Sequence, residues 1–232
     1  MEKIFLPSMI EVEFDDFYRT CATELLNAGF NTFHIDFGNQ GLIQRNLLPW
    51  NKVHFLRNLS PNIILTAHIM SQSGTHTYSV ENIAIKCIEN NFDIIYVHPR
   101  SFKNLSELKK FKEGLFDKNV SQFGIVSEVD YKRDDELYDF INENSVKHLL
   151  QMGVPIGMGG QKFCWNSIEK IENFCNSCGD LNVIELDGGL TFEVVDRVKK
   201  HRINRFSGWS LVNNKNPQKV VDNALELKAM LS

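Results

Sequence analysis

Short runs of β-branched and aromatic residues alternate along this chain with longer stretches of helical periodicity. The first run, 3–6, precedes Phe14, Phe17, Tyr18, Cys21 and Leu25, whose spacings of i, i+3, i+4, i+7 and i+11 trace one helix face. Strand-like 32–36 then precedes a helix over 50–59, and 62–68 precedes Val80, Ile83, Ala84, Cys87 and Ile88, a strongly amphipathic set. The alternation goes on through 93–97 and 105–116, then 122–127 and 134–142. It closes with 146–152 and 164–175, 182–186 and 192–200, and 205–207 and 217–231. Such βα alternation demands parallel strands joined by right-handed crossovers, and eight units in 232 residues predict an α/β protein folded as a closed (β/α)8 TIM barrel. An open doubly wound sheet usually carries a Gly-rich fingerprint after its first strand, and none follows Leu6. No repeat, low-complexity tract or linker interrupts the pattern, so one domain over 1–232 is expected.

Composition narrows the class of partner. The chain is 43% hydrophobic and 23% charged, enough apolar mass for one sizeable core. Its net charge of −4 disfavours a basic nucleic-acid groove or attraction to an acidic membrane. No apolar run reaches the roughly 18 residues of a membrane span, and the N-terminus lacks the apolar core of a secretory signal, so a cytoplasmic protein is expected. Five cysteines, an odd number set mostly among apolar helical neighbours, suit reduced buried thiols better than a disulfide framework. Cys175 and Cys178 have redox-motif spacing, yet they stand at a helix late in the chain with no second pair, which favours a structural role.

In a barrel of this kind the C-terminal strand ends form the active face, so polar residues there are the first candidates. His34 and Asp36 close the second strand, and a period of two sets both on one side, away from Phe33 and Ile35. His68 closes the third strand and Asp187 the seventh, just before Gly188 and Gly189. Two imidazoles and two carboxylates on one rim form a plausible set for one divalent metal ion, with Zn, Fe(II), Mn and Co all compatible. After the sixth strand, Gly153, Gly157, Met158, Gly159 and Gly160 form a glycine-rich stretch whose backbone N–H groups can approach an anion, with the following helix N-terminus adding its dipole. Gly188, Gly189, Ser207 and Gly208 lie after the last two strands, where such barrels usually bind phosphate.

Taken in order, these motifs resemble those of the ribulose-phosphate 3-epimerase family. Pro7-Ser8-Met9-Ile10 is similar to its opening Pro-Ser-Ile-Leu, His34-Ile35-Asp36 to its His-x-Asp, and His68-Ile69-Met70 to its His-x-Met. Met152 followed by Gly157-Met158-Gly159-Gly160-Gln161-Lys162-Phe163 resembles its Met then Gly-Phe-Gly-Gly-Gln-x-Phe, and Asp187-Gly188-Gly189 its Asp-Gly-Gly. The resemblance implies a barrel of the ribulose-phosphate-binding type, with a metal held by His34, Asp36, His68 and Asp187. It makes Asp36 and Asp187 the acid and base of a 3-epimerisation passing through a metal-stabilised enediolate, which requires a proton to leave one face of a carbon and return to the other. It places Ser8 and His68 against the sugar, Met70 and Met152 over the intermediate, and Gly157, Met158, Gly159, Gly160, Gly188, Gly189 and the backbone of Trp209 and Ser210 around the phosphate. D-ribulose 5-phosphate to D-xylulose 5-phosphate is the expected reaction, and a homo-oligomer the expected assembly.

The chain also departs from that family. Phe37-Gly38-Asn39-Gln40 replaces a stretch carrying a methionine and an acidic residue, and 127–131 replaces Asn-Pro-x-Thr-Pro. Pro155 falls one position before the family proline, and Gly208-Trp209-Ser210 stands for Gly-Ser-Ala. These changes leave the four polar positions intact and alter the walls around them, which keeps a related pentulose or hexulose phosphate in view as substrate. A non-catalytic phosphosugar-binding barrel is the alternative of another class. A metal-dependent hydrolase has no support, because the first strand carries no His-x-His. His98-Pro99-Arg100 ends the fourth strand, where facing the site and anchoring a loop are equally open.

Overall fold

The computed structural model describes residues 2–232 apart from 10–11, 40, 44–45, 75, 117–120 and 158–159. Eight parallel strands alternate with eight α-helices: β1 (Ile4–Pro7), α1 (Asp16–Asn27), β2 (Thr32–Gly38), α2 (Trp50–Leu59), β3 (Ile64–Met70), α3 (Val80–Glu89), β4 (Ile94–Val97), α4 (Leu105–Leu115), β5 (Gln122–Ser127), α5 (Asp134–Glu143), β6 (His148–Met152), α6 (Asn166–Ser177), β7 (Val183–Asp187), α7 (Phe192–Val198), β8 (Arg205–Gly208) and α8 (Pro217–Leu231). A 3-10 turn, Pro99–Ser101, follows β4. The sheet runs β1-β8-β7-β6-β5-β4-β3-β2, and a parallel bridge between Ser8 and His34 brings its two edges together. The TIM barrel anticipated from the alternation is therefore present.

The strands are buried on both faces, as crossover helices require. One face packs against the helices in a large apolar layer that includes Phe33, Leu65, Ile95 and Leu186. The other face, one residue out of phase, carries a smaller cluster of Ile94, Tyr96, Val126, Leu150, Met152 and Val154 into the barrel. Gly124 leaves the space that the Tyr96 ring fills, since a Cβ there would lie 2.6 Å from Cε1.

Several helices start on side-chain caps that satisfy free N–H groups of the first turn. Asp15 accepts from Tyr18 N at 3.0 Å, Asn104 from Glu107 N at 3.0 Å and Thr191 from Val194 N at 3.2 Å. Lys52 on α2 donates from Nζ to the carbonyls of Met9 at 2.9 Å and Val12 at 2.5 Å, which fixes the backbone leaving β1 beside Ser8. No helix among the described residues is long and apolar enough to cross a membrane.

Candidate active site and metal centre

Parallel pairing sets Asp36 on β2 directly across from His68 on β3, and Met152 on β6 across from Asp187 on β7. Continued pairing places Ser207 of β8 beside Asp187. The geometry draws His34, Asp36, His68 and Asp187 together, with one ligand atom from each lying within 4.8 Å of all the others. His34 Nε2 is 3.3 Å from Asp36 Oδ1, while His68 Nδ1 is 3.0 Å from the same oxygen and 3.7 Å from Asp187 Oδ2. Ligand bonds of about 2.0 to 2.1 Å around a tetrahedral ion imply ligand separations of roughly 3.3 Å, which the 3.0, 3.3 and 3.7 Å separations bracket, and the N2O2 set suits a divalent cation in its chemistry.

The surroundings orient each group. Ser8 Oγ donates to Asp36 Oδ2 at 2.9 Å, and Ser207 Oγ donates to Asp187 Oδ1 at 3.1 Å, leaving the other oxygen of each carboxylate for the shared site. The fully buried Glu185 lies 2.6 Å from His34 Nδ1 and, as an acceptor, holds a proton there, so that Nε2 is the nitrogen turned to the shared site. His68 turns its other nitrogen, Nε2, to His98 Nε2 at 2.7 Å, and His98 Nδ1 lies 2.7 Å from Glu128 Oε1.

The two aspartates meet opposite electrostatics. Burial works to raise Asp36, but His34 and then His68 overcome it and hold the carboxyl well below its usual range. Asp187 is pushed up to about 6, chiefly by burial with Asp36 adding to it. Burial alone would lower His34, yet Asp36 and Glu185 lift it above the ordinary imidazole value. Burial pushes His98 down to about 4, against the pull of Glu128. Two carboxylates of one chemical type thus differ in proton affinity around one point, the arrangement that acid and base partners need.

One cavity opens above the four residues. It is lined by Ser8, Asp36, His68, Met70, Met152, Gly157, Gly160, Asp187, Gly188, Gly189, Gly208, Trp209 and Ser210, all singled out in the sequence, and also by Val154, Pro155 and Asn213. Met158 and Gly159 lie outside the described residues. Gly188 and Gly189 adopt φ of +89° and +68°, and a Cβ on Gly189 would come within 2.9 Å of Phe163 Cα. Only glycine therefore lets that turn, which lines the cavity, pack so closely on the backbone at Phe163. The expected contribution of the next helix dipole meets a geometric obstacle, because α6 starts only at Asn166 and none of its residues lines the cavity. The indole of Trp209 is 9% exposed and forms part of the wall.

Glu185 and Glu128 are not among the candidates read from the sequence, whereas His98, its role left open, and Ser207, read as near a phosphate, stand instead beside His68 and Asp187. Glu185 could have been found, since it stands two residues before Asp187 and a strand places both on one face. The His98 and Glu128 contact joins the ends of two strands 30 residues apart, and no local spacing announces it.

The same fold recurs in solved proteins with little sequence in common. The Streptococcus mutans protein KGPDC, solved as a ligand complex, is 10% identical with a TM-score of 0.68, covering 98% of this chain and 97% of its own. Orotidine 5'-phosphate decarboxylase from Pyrococcus horikoshii is 13% identical with a TM-score of 0.65, covering 97% and 98%. Phosphoribosyl anthranilate isomerase from Thermus thermophilus is 12% identical with a TM-score of 0.64, again covering 97% and 98%. No curated protein matches the chain significantly in sequence. The family model described as the ribulose-phosphate 3 epimerase family matches residues 4–210, taking in the strand ends from β1 to β8 that carry the site, and the chain belongs to that family.

Proposed function

We propose that the chain is a metal-dependent 3-epimerase of a phosphorylated ketose, with D-ribulose 5-phosphate to D-xylulose 5-phosphate as its reaction. The observation that carries this reading is the meeting of His34, Asp36, His68 and Asp187 beneath a cavity walled by backbone glycines. A divalent cation held by these four side chains would supply Lewis-acid stabilisation of the negative charge that develops on the substrate oxygens.

The remaining chemistry belongs to the chain. Asp36, ionised beside two imidazoles, takes the proton from C3, and Asp187, which holds its proton more tightly, delivers one to the opposite face. In the reverse direction the roles exchange. Because the carboxylates act in each other's field, their titration is a property of the pair. Ser8 holds Asp36 in place through its hydroxyl and stands at the cavity wall where a sugar hydroxyl would come. Met70 and Met152 cover the reacting carbons with polarizable surface that keeps water out. Gly157, Gly160, Gly188, Gly189, Trp209 and Ser210 receive the phosphate.

Trp209 supports a second reading within the same chemistry. The indole of Trp209 stands in the cavity wall where the family carries a serine, and this change of shape suits a related pentulose or hexulose phosphate. Purified protein treated with Co2+, Zn2+, Mn2+ or Fe2+ and offered a panel of pentulose and hexulose phosphates distinguishes these outcomes. Interconversion of the two named pentulose phosphates supports the first reading, and turnover confined to another ketose supports the second. Tight ligand binding without turnover of any member, unaltered by Asp36→Asn, supports a non-catalytic binding barrel and contradicts both.

A further inference from the structure

His68 has two ring nitrogens, and only one can serve a cation. Its Nδ1 is the nitrogen that faces Asp36 and Asp187, at 3.0 and 3.7 Å. For Nδ1 to offer a lone pair, the ring proton must sit on Nε2. Within the cluster, Asp36 Oδ1 competes for a proton on Nδ1 until a cation takes that place, and the groups that favour Nε2 lie outside it.

His68 Nε2 and His98 Nε2 are 2.7 Å apart, with their rings stacked at a centroid distance of 4.9 Å and an interplanar angle of 29°. Two imidazole nitrogens in that relation share one proton, so one donates and the other accepts. At the far side of His98, Nδ1 lies 2.7 Å from Glu128 Oε1. Arg100 Nη2 is 2.7 Å from Glu128 Oε2 and 3.1 Å from Asp130 Oδ1, and a guanidinium can only donate. Paired to that cation, Glu128 stays a carboxylate and can only accept. The proton on His98 is thereby drawn to Nδ1, its Nε2 carries the lone pair, and His68 Nε2 must donate to it. With a cation in place of the proton between His68 Nδ1 and Asp36, Nδ1 offers its lone pair to the shared site.

We propose that Glu128, acting through His98, is a positioning residue that fixes the tautomer and ring orientation of His68 for a cation. The proposal rests on the metal reading above and adds to it a chain of contacts from the end of β3 through the ends of β4 and β5. His98 and Glu128 are both fully buried, so water does not compete for either hydrogen bond. Hydrogen-bonded partners of this kind around metal-bound histidines set affinity, and their loss commonly costs about 10- to 100-fold.

Co2+ titration followed by its visible absorption tests the relay. Glu128→Gln, whose amide can donate where the carboxylate cannot, is expected to weaken Co2+ binding by about 10- to 100-fold. In a His98→Gln background, adding Glu128→Gln is expected to cause no further loss, because its effect passes through His98. Co2+ affinity in Glu128→Gln within twofold of the parent, or a loss that adds in full to that of His98→Gln, overturns the relay. A measurement on the unaltered chain covers the case in which the variants fail to fold. Nitrogen-15 histidine NMR of the Zn2+-loaded protein should place the protons on His68 Nε2 and His98 Nδ1, and a proton on His98 Nε2 overturns the assignment. A parent chain that binds neither Co2+ nor Zn2+ removes the metal reading and the relay together, whereas normal parent binding with an indifferent Glu128→Gln removes the relay alone.

Discussion

Asp36 and Asp187 bring the same functional group into unlike environments, one beside two imidazoles and the other buried against a carboxylate. Replacing either by Asn keeps the volume and removes the proton acceptor. Each substitution is expected to lower turnover of the preferred ketose phosphate by at least about 100- to 10,000-fold, read as kcat in the metal-loaded protein. Away from the site, His148 on β6 is driven down to about 4 by burial and then by Arg205. The folded chain keeps that ring neutral to about pH 4, while the unfolded chain takes the proton near the ordinary 6.5, so the unfolded state binds more protons in between. Stability owed to His148 is therefore present above that window and falls as pH drops through it, by up to roughly 3 kcal/mol. Asp187, raised to about 6, acts in the opposite sense over part of the window. Urea titrations of the metal-free protein at several pH values should show a flatter acid limb for His148→Gln than for the parent. The residue scale also shows what a sequence can disclose. Asp36 and His34 were legible because a strand repeats every two residues and both end near a rim. His98 was visible as a strand-end histidine, but only its contact with His68 gives it a role.

At the scale of elements, the alternation of short β-branched runs with amphipathic stretches was enough to place all sixteen units, because each helix must bury one face and each strand both. Boundaries were less legible. β2 runs two residues past the expected 32–36 because Phe37 and Gly38 continue the parallel pairing with Ile69 and Met70 of β3, a long-range contact with no local signature. α6 starts at Asn166 instead of 164 because Phe163 and Cys164 belong to the loop, where Cys164 N donates to Gly153 O. The helix caps yield a direct stability prediction. Asp15→Ala removes the acceptor for Tyr18 N and should lower unfolding free energy by about 1 kcal/mol, measured by urea titration. Inside the barrel, Gly124→Ala pushes a methyl into the Tyr96 ring and should cost about 1 to 3 kcal/mol by the same measurement.

For the whole molecule, closure is the feature that matters most. Strands β2, β3 and β7 supply the four candidate ligands, and β1 meets β2 through Ser8 and His34, so the site exists only when both ends of the sheet meet. A cation bound there stabilises the folded chain alone, by about 2.7 kcal/mol at 100 times its dissociation constant. Chelation should accordingly lower the thermal midpoint and Co2+ should restore it, with both responses lost in a His34→Ala, Asp187→Ala variant. The altered wall between β6 and α6 and around Trp209 sets the shape of the cavity, which no spacing along the chain reveals. Proton transfer at C3 is the point common to every ketose considered. The direct test is to incubate Co2+-loaded protein with D-ribulose 5-phosphate and the other ketose phosphates in D2O and to follow deuterium entry by NMR. Solvent deuterium is predicted at C3 of at least one of them, and to be lost in Asp36→Asn. A protein that holds its Co2+ and binds these sugars while leaving every C3 proton in place contradicts the account.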